Sequence, residues 1–442
     1  MTVGQEEIAE FRAQVESEWR DNIAPFWSRY APDEKYGGFR GWITNDLQIE
    51  EQAEKGIILN SRILWTFSRA HKLYQEDASQ RIAKRAYEYL TRHFVDSRAG
   101  GVFWTLDYSG KPADKKKRVY AQAFALYGLA EFFVASGERA ALDLAFELFY
   151  LMESYCRDRE HDGYFETFER DWTLAGDQRL SEVDRDEKKS MNAHLHVLEA
   201  YATLARATDN SQVKERLRAV IDIFLTRIIH ARETGTAGVR GARRGSAGSP
   251  AEQLGWGARP AGLLDSPAEW HLGMFFDEAW ASRSERRSFG HDIEASWLLC
   301  EAADVLDDAT VSAQIRGIAL KLAQSVYDHG LDADGSLLYE ADANGVIDDD
   351  KHWWTQAEAV VGFVNAYQLG GGEHFLAAAL RVWQFIDRYL IDRQHGEWFW
   401  KTSRSGKPSL DMPKVSQWKC PYHNGRMCFE ISRRLNEIDA RL

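Results

Sequence analysis

The stretch GGVFWTLD at residues 100–107 is followed by RVYAQAFALYGLAEFFVAS at 118–136 and RAALDLAFELFYLMESY at 139–155, and its reading decides the fold. A glycine pair running into aromatic and apolar residues signals a turn into a brief strand. The two tracts behind it repeat apolar residues at three- and four-residue spacing and contain no proline, as amphipathic helices do. The unit is a strand-turn, a loop and two helices.

Five other segments open the same way: YGGFRGWI from Tyr36, DGYFETF from Asp162, GMFFDEAW from Gly273, DGSLLYE from Asp334 and GEWFWK from Gly396. They start roughly 60 residues apart with one wider gap, a period that implies a repeated supersecondary unit. Helical tracts such as ILNSRILWTFSRAHKLY from Ile58, SMNAHLHVLEAYATLARAT from Ser190 and HWWTQAEAVVGFVNAYQL from His352 fill the intervals. Twelve helices in alternating order can close into an inner and an outer ring, burying every apolar stripe without leaving an end repeat exposed. The expected fold is all-α: one (α/α)6 barrel domain over residues 1–442, with six inner and six outer helices and short β-hairpin segments at one mouth. The wider gap holds residues 231–270, rich in Gly, Ala, Arg and Ser and without periodicity. It reads as a surface-loop insertion: a solvated segment, a lid or a subunit contact.

Composition narrows the partners. A formal net charge of −13 over 442 residues argues against nucleic acid or an anionic membrane surface, since both call for clustered positive charge. A small neutral molecule fits better. The 16 Trp, 17 Tyr and 22 Phe could stack on sugar faces or simply fill a core. The start of the chain lacks a basic segment leading into an apolar run, and no apolar run is long enough to span a bilayer, so a cytoplasmic protein is expected. The four cysteines, Cys156, Cys300, Cys420 and Cys428, form no CxxC pair and read as reduced thiols.

Each unit's first helix begins with unusual polar or aromatic residues. They are Arg62 in the first unit, Tyr120 in the second, Asn192 with His194 and His196 in the third, and His291 with Glu294 in the fourth. The fifth has Trp353, Trp354 and Glu358, and the sixth Tyr422, His423 and Asn424. In a closed ring equivalent positions meet at one mouth, so one pocket is implied. Within MNAHLHVLEAY, His194 shares a row with Leu198 and Tyr201 and reads as structural, whereas His196 lies on a polar stripe with Asn192, Glu199 and Thr203. His291 and Glu294 are three apart and therefore helical neighbours. The pair is either a surface ion pair or an imidazole whose pKa a carboxylate raises. WKCPYHNGRMC at 418–428 offers Cys420, His423 and Cys428 to zinc, one ligand short of a closed site. Pro421 at a helix start suits a helix N-terminus aimed into the mouth.

Together MNAHLHVLEAY, FGHDIEASWLL, WWTQAEAVVGF, GEWFW and WKCPYHNGRMC resemble the cellobiose 2-epimerases of the N-acylglucosamine 2-epimerase superfamily over nearly the whole chain. Residues 231–270 depart from the usual pattern. The resemblance implies inversion at C2 of the reducing-end sugar of a β-1,4-linked disaccharide, with no cofactor and no metal. It implies His291 and His423 as the acid/base pair and His196 as an aid to ring opening. Arg62, Tyr120, Asn192, Glu294, Trp354 and Trp418 would line the sugar site, Trp418 on the strength of the resemblance alone. The neighbouring alternatives are an N-acylglucosamine 2-epimerase and a mannose-type aldose–ketose isomerase. A glycoside hydrolase would need two carboxylates flanking the bond, and a noncatalytic sugar binder would need only the aromatic rings.

Overall fold

A computed structural model describes residues 3–233 and 268–440. Twelve principal helices alternate between two rings among these residues. The inner six are α2 (Ile57–Tyr74), α4 (Val119–Ser136), α6 (Met191–Thr208), α8 (Phe289–Leu306), α10 (Trp353–Gln368) and α12 (Tyr422–Asp439). The outer six are α1 (Gln5–Ser17), α3 (Asp77–Tyr89), α5 (Arg139–Leu151), α7 (Ser211–Ile223), α9 (Ala309–His329) and α11 (Glu373–Phe385). Helix α1 continues through a wide turn at Glu18–Ile23 into Ala24–Arg29. Each inner helix packs on the next, and α12 returns to α2, so the ring closes as the repeat implies.

Inner helices touch neighbours on all sides and are buried nearly all round, whereas the outer ones carry one buried stripe. Helix α3, for example, buries Ile82, Ala83, Ala86 and Tyr89 and turns its charges outward. Helix α4 is long and apolar enough to cross a membrane by length and composition, yet 78% of it is buried inside the protein. It is an inner-ring helix.

The hairpins collect at the mouth. The two residues before an inner helix pair with the second arm of the following hairpin, as in Lys117–Arg118 with Thr167–Phe168 and Lys351–His352 with Lys401–Thr402. An antiparallel bridge between Ile43 and Val415 joins the first unit to the last. A buried lysine pins the hairpin turn to the inner helix in five units: Lys55–Asp33 (2.6 Å), Lys117–Asp96 (3.1 Å), Lys189–Asp158 (2.7 Å), Lys351–Asp332 (2.8 Å) and Lys414–Asp392 (2.8 Å). In the fourth unit Arg287 and Glu269 pair instead. The hairpin glycines leave room for this packing. Gly163 has φ +81°, and a Cβ there would stand 2.7 Å from Nε2 of His194.

Of the expected insertion at 231–270, only 231–233 and 268–270 fall within the described residues; both lie in the antiparallel pair Ile229–Glu233 with Ala268–Leu272.

Two turns below the mouth, ion pairs bridge the inner ring. Arg434 reaches Glu430 (3.3 Å), Glu301 (3.2 Å), Asn365 (3.0 Å) and Gln368 (2.8 Å). Arg433 pairs with Glu430 (2.6 Å) and Glu437 (2.8 Å), and Arg69 with Glu131 (3.5 Å).

Candidate active site

A cavity of about 910 Å3 opens at the hairpin mouth, and all nine residues singled out for the site line it. The helical register explains the convergence. Arg62, His196, Glu294 and Glu358 are each the sixth residue of an inner helix, while Tyr120, Asn192, Trp354 and His423 are each the second. Equivalent positions on ring-related helices point to the same axis.

Each of the three imidazoles is held by its Nδ1. His196 faces Glu199 (3.1 Å), His423 faces Glu358 (2.7 Å) and His291 faces the hydroxyl of Ser288 (2.8 Å). Among the described residues nothing takes their Nε2 atoms, which are left for the cavity. His194 differs: Nδ1 lies 2.6 Å from the carbonyl of Ser190, and Nε2 accepts the Tyr164 N–H at 3.0 Å. It anchors a hairpin, the structural role its row suggests.

Trp354 packs against two of the imidazoles. Its indole lies 4.7 Å from the ring of His291 and 5.7 Å from that of His423. Gly290 makes space for it, since a Cβ there would come within 2.7 Å of the indole. Trp354 is only 9% exposed and acts as a spacer more than an open platform. Trp418 is the more open ring, packed on Trp104 (5.7 Å) and Tyr120 (6.1 Å).

One expectation is overturned. Glu294 does not pair with His291; it accepts from Arg426 at 2.6 Å and lies 4.0 Å from Nδ1 of His423. Burial, with the nearby His196, pushes His291 down to about 3 rather than up. Burial also takes His196 down to about 4 against the pull of Glu199, and His423 well below the usual histidine range. Neighbours on other helices, and the loss of water, outweigh the helical spacing. All three rings are therefore neutral at pH 7.

Arg426, which sequence reasoning does not single out, organises the site. Its guanidinium meets Glu199, Glu294 and Glu358, with Tyr422 also bonded to it, and stacks 4.7 Å from Trp297. The available signal was an arginine one turn from His423 on a helix that must be buried. Three carboxylates share this one cation, and they divide. Glu199 is held down to about 2, as Arg426 and His196 overcome its burial. Burial and the charge of Glu358 push Glu294 up to about 8, and burial raises Glu358 too. The pair holds a proton at neutral pH. Glu294, Glu358 and His423 could hold a metal ion, their ligand atoms lying within 4.8 Å of one another, but Arg426 already supplies both carboxylates with positive charge. Cys420, His423 and Cys428 form no common ligand set among the described residues.

Arg62 is the second buried cation. It donates to the Tyr120 hydroxyl (2.9 Å) and stacks 4.3 Å from Phe124 and 5.0 Å from Tyr422. Among the described residues no carboxylate pairs with it, so its charge is available to an anion in the cavity. Asn192 likewise spends no side-chain hydrogen bond on the described protein.

Comparisons with known proteins agree with this picture. The pattern of the N-acylglucosamine 2-epimerase (GlcNAc 2-epimerase) family matches residues 37–237 and 264–424. Cellobiose 2-epimerase of Bacteroides fragilis is 41% identical, the match covering 95% of this chain and 98% of that one. The Ruminococcus albus enzyme of the same name is 39% identical over 96% of this chain and 98% of its own. The structure of cellobiose 2-epimerase from Spirochaeta thermophila superposes with a TM-score of 0.83 at 37% identity, covering 98% of each chain. A ring of six helix pairs with this mouth, matched over most of its length, belongs to the N-acylglucosamine 2-epimerase family.

Proposed function

We propose that this enzyme inverts C2 of the reducing-end sugar of β-1,4-linked disaccharides, turning cellobiose into glucosylmannose and lactose into epilactose. The observation that carries the reading is the pair His291 and His423, both packed against one indole, each with Nδ1 held and Nε2 left to the cavity. The 36–41% identity to cellobiose 2-epimerases supports the substrate class.

The C2 hydrogen of an aldose is acidic only when C1 is an open-chain carbonyl. His196 assists ring opening by moving the hydroxyl proton. A neutral imidazole then takes the C2 hydrogen as a proton, and its electron pair forms the double bond of a cis-enediolate. The negative charge on oxygen is met by Arg62, whose cation has no carboxylate of its own, and by the Asn192 amide. A proton returns to C2 from the opposite face and the ring closes.

The proton ledger gives the two imidazoles complementary starting roles. His291 is neutral and unassisted by a carboxylate, so it is a base at rest. The proton held by Glu294 and Glu358 can sit on the oxygen facing Nδ1 of His423, which puts the ring's own proton on Nε2 toward the sugar. His423 is then the acid. Starting from the other epimer the roles exchange, and both groups reset by exchange with water. Trp418 stacks on a sugar ring and holds the disaccharide while the bond is open.

The test is to incubate cellobiose or lactose in deuterated water and separate the products. Glucosylmannose or epilactose carrying deuterium at C2 is expected. A ketose as the main product would favour an aldose–ketose isomerase, and release of monosaccharide a hydrolase.

A further inference from the structure

The three imidazoles are not held alike. His196 and His423 lean on glutamates, whose carboxyl groups share protons with the ring and, when ionised, stabilise an added one. His291 has no carboxylate: its one hydrogen-bond partner among the described residues is Ser288, and its one ring contact is Trp354.

We propose that Ser288 is a positioning residue for the reaction, its hydroxyl fixing the His291 ring so that Nε2 meets C2 of the sugar. The proposal rests on reading His291 as an acid/base. Ser288 is also the N-cap of α8, and the two duties differ in quality. Its Oγ lies 2.8 Å from Nδ1 but 3.4 Å from the His291 backbone N–H, so the better bond goes to the ring. A cap serine with no imidazole three residues on bonds the backbone more tightly: Ser190, the N-cap of α6, takes the Ala193 N–H at 3.1 Å. Trp354 packs on the His291 ring and Ser288 holds its Nδ1 edge, leaving Nε2 to the cavity. A hydroxyl also brings no negative charge. It holds the ring without making it keep a proton, which suits the neutral base of the pair.

The experiment compares Ser288→Ala, Ser288→Gly and Ser288→Thr in the full chain. It uses steady-state epimerisation of cellobiose, deuterium uptake at C2 and thermal unfolding. Both Ala and Gly should lower kcat on the order of tenfold with KM within about twofold, as misorientation of a reacting group does. Thr, which keeps the hydroxyl, should restore kcat to within about threefold. Glycine is the discriminating variant, because it serves as an N-cap nearly as well as serine. A purely capping role therefore leaves Ser288→Gly at the wild-type rate, and that result, or a wild-type kcat in Ser288→Ala, overturns the proposal. Were His291→Ala to take up deuterium at C2 at the wild-type rate, the acid/base reading would fall first and this one with it.

Discussion

Two tiers of the inner ring are built from the same helices seven residues apart, about 10 Å along the axis. Arg62 stands above Arg69, Phe124 above Glu131, Glu294 above Glu301, Glu358 above Asn365, and Arg426 above Arg433 with Arg434 beside it. The lower tier matches its charges. Glu430 has Arg434, Arg433 and Arg69 around it, and these cations overcome burial to hold it down to about 2. In the upper tier Glu294 is the more deeply enclosed, and burial together with the charge of Glu358, which shares its cation Arg426, pushes it the other way, to about 8. One residue type in one ring takes opposite protonation. Burial and partner count together decide it.

The largest effect should come from breaking the upper tier at its imidazoles. His291→Ala or His423→Ala should lower C2 deuterium exchange on cellobiose by about 10²–10⁴-fold, while the unfolding midpoint moves little. Next, the lower tier should break in the reverse sense. Arg434→Met takes one of several cations from Glu430 and Glu301 and leaves Asn365 and Gln368 without their donor, and should cost roughly 1.5–3 kcal/mol in a denaturant titration, with kcat per folded molecule unchanged.

Acidity sharpens the contrast. A carboxyl raised from 4.5 to about 8 in the folded state adds stability that is full at low pH and fades as pH rises through that window; Glu294 is such a group. Glu430, lowered to about 2, adds stability that is full above about 4.5 and fades as pH falls toward 2. Glu294→Gln should therefore flatten the decline in stability as pH rises from about 4.5 to 8, and Glu430→Gln the decline as pH falls from about 4.5 to 2. For the same reasons kcat should fall above about pH 8, as the acid beside His423 is lost, and hold between about 5 and 8, since His291 stays neutral there. An acid limb near 6.5 would contradict this. The smallest effect should come from Trp418→Ala, which removes a stacking face: KM for cellobiose should rise by up to about tenfold with kcat nearly kept.

The ring was legible because its parts are repetitive and local. Each Gly-aromatic run needs a turn, and each inner tract is apolar at helical spacing, so six copies can be read without any long-range knowledge. The members of the mouth followed from the same register. What did not follow was who touches whom inside it. His291 and Glu294 are neighbours on a helical wheel, yet Glu294 turns to Arg426 on α12, 132 positions away. Burial likewise reversed the expected direction for His291, because enclosure depends on all six inner helices at once. Arg426 itself lay inside a quoted motif. Its role becomes visible only when Glu199, Glu294 and Glu358 arrive from three other helices.

The seam between the first and last units has a temporal consequence. Trp398 donates to Glu18 across 380 positions and Trp27 to Glu397 across 370, so the circle cannot be sealed until both ends of the polypeptide are available. His423 rides on α12, the last helix of the circle to leave the ribosome. A nascent chain carries His196 and His291 well before it carries their companion and its carboxylate-bound arginine. On the proposed mechanism, a translation product that stops before α12 lacks one of its two acid/base groups and turns nothing over, with no separate inhibitor required.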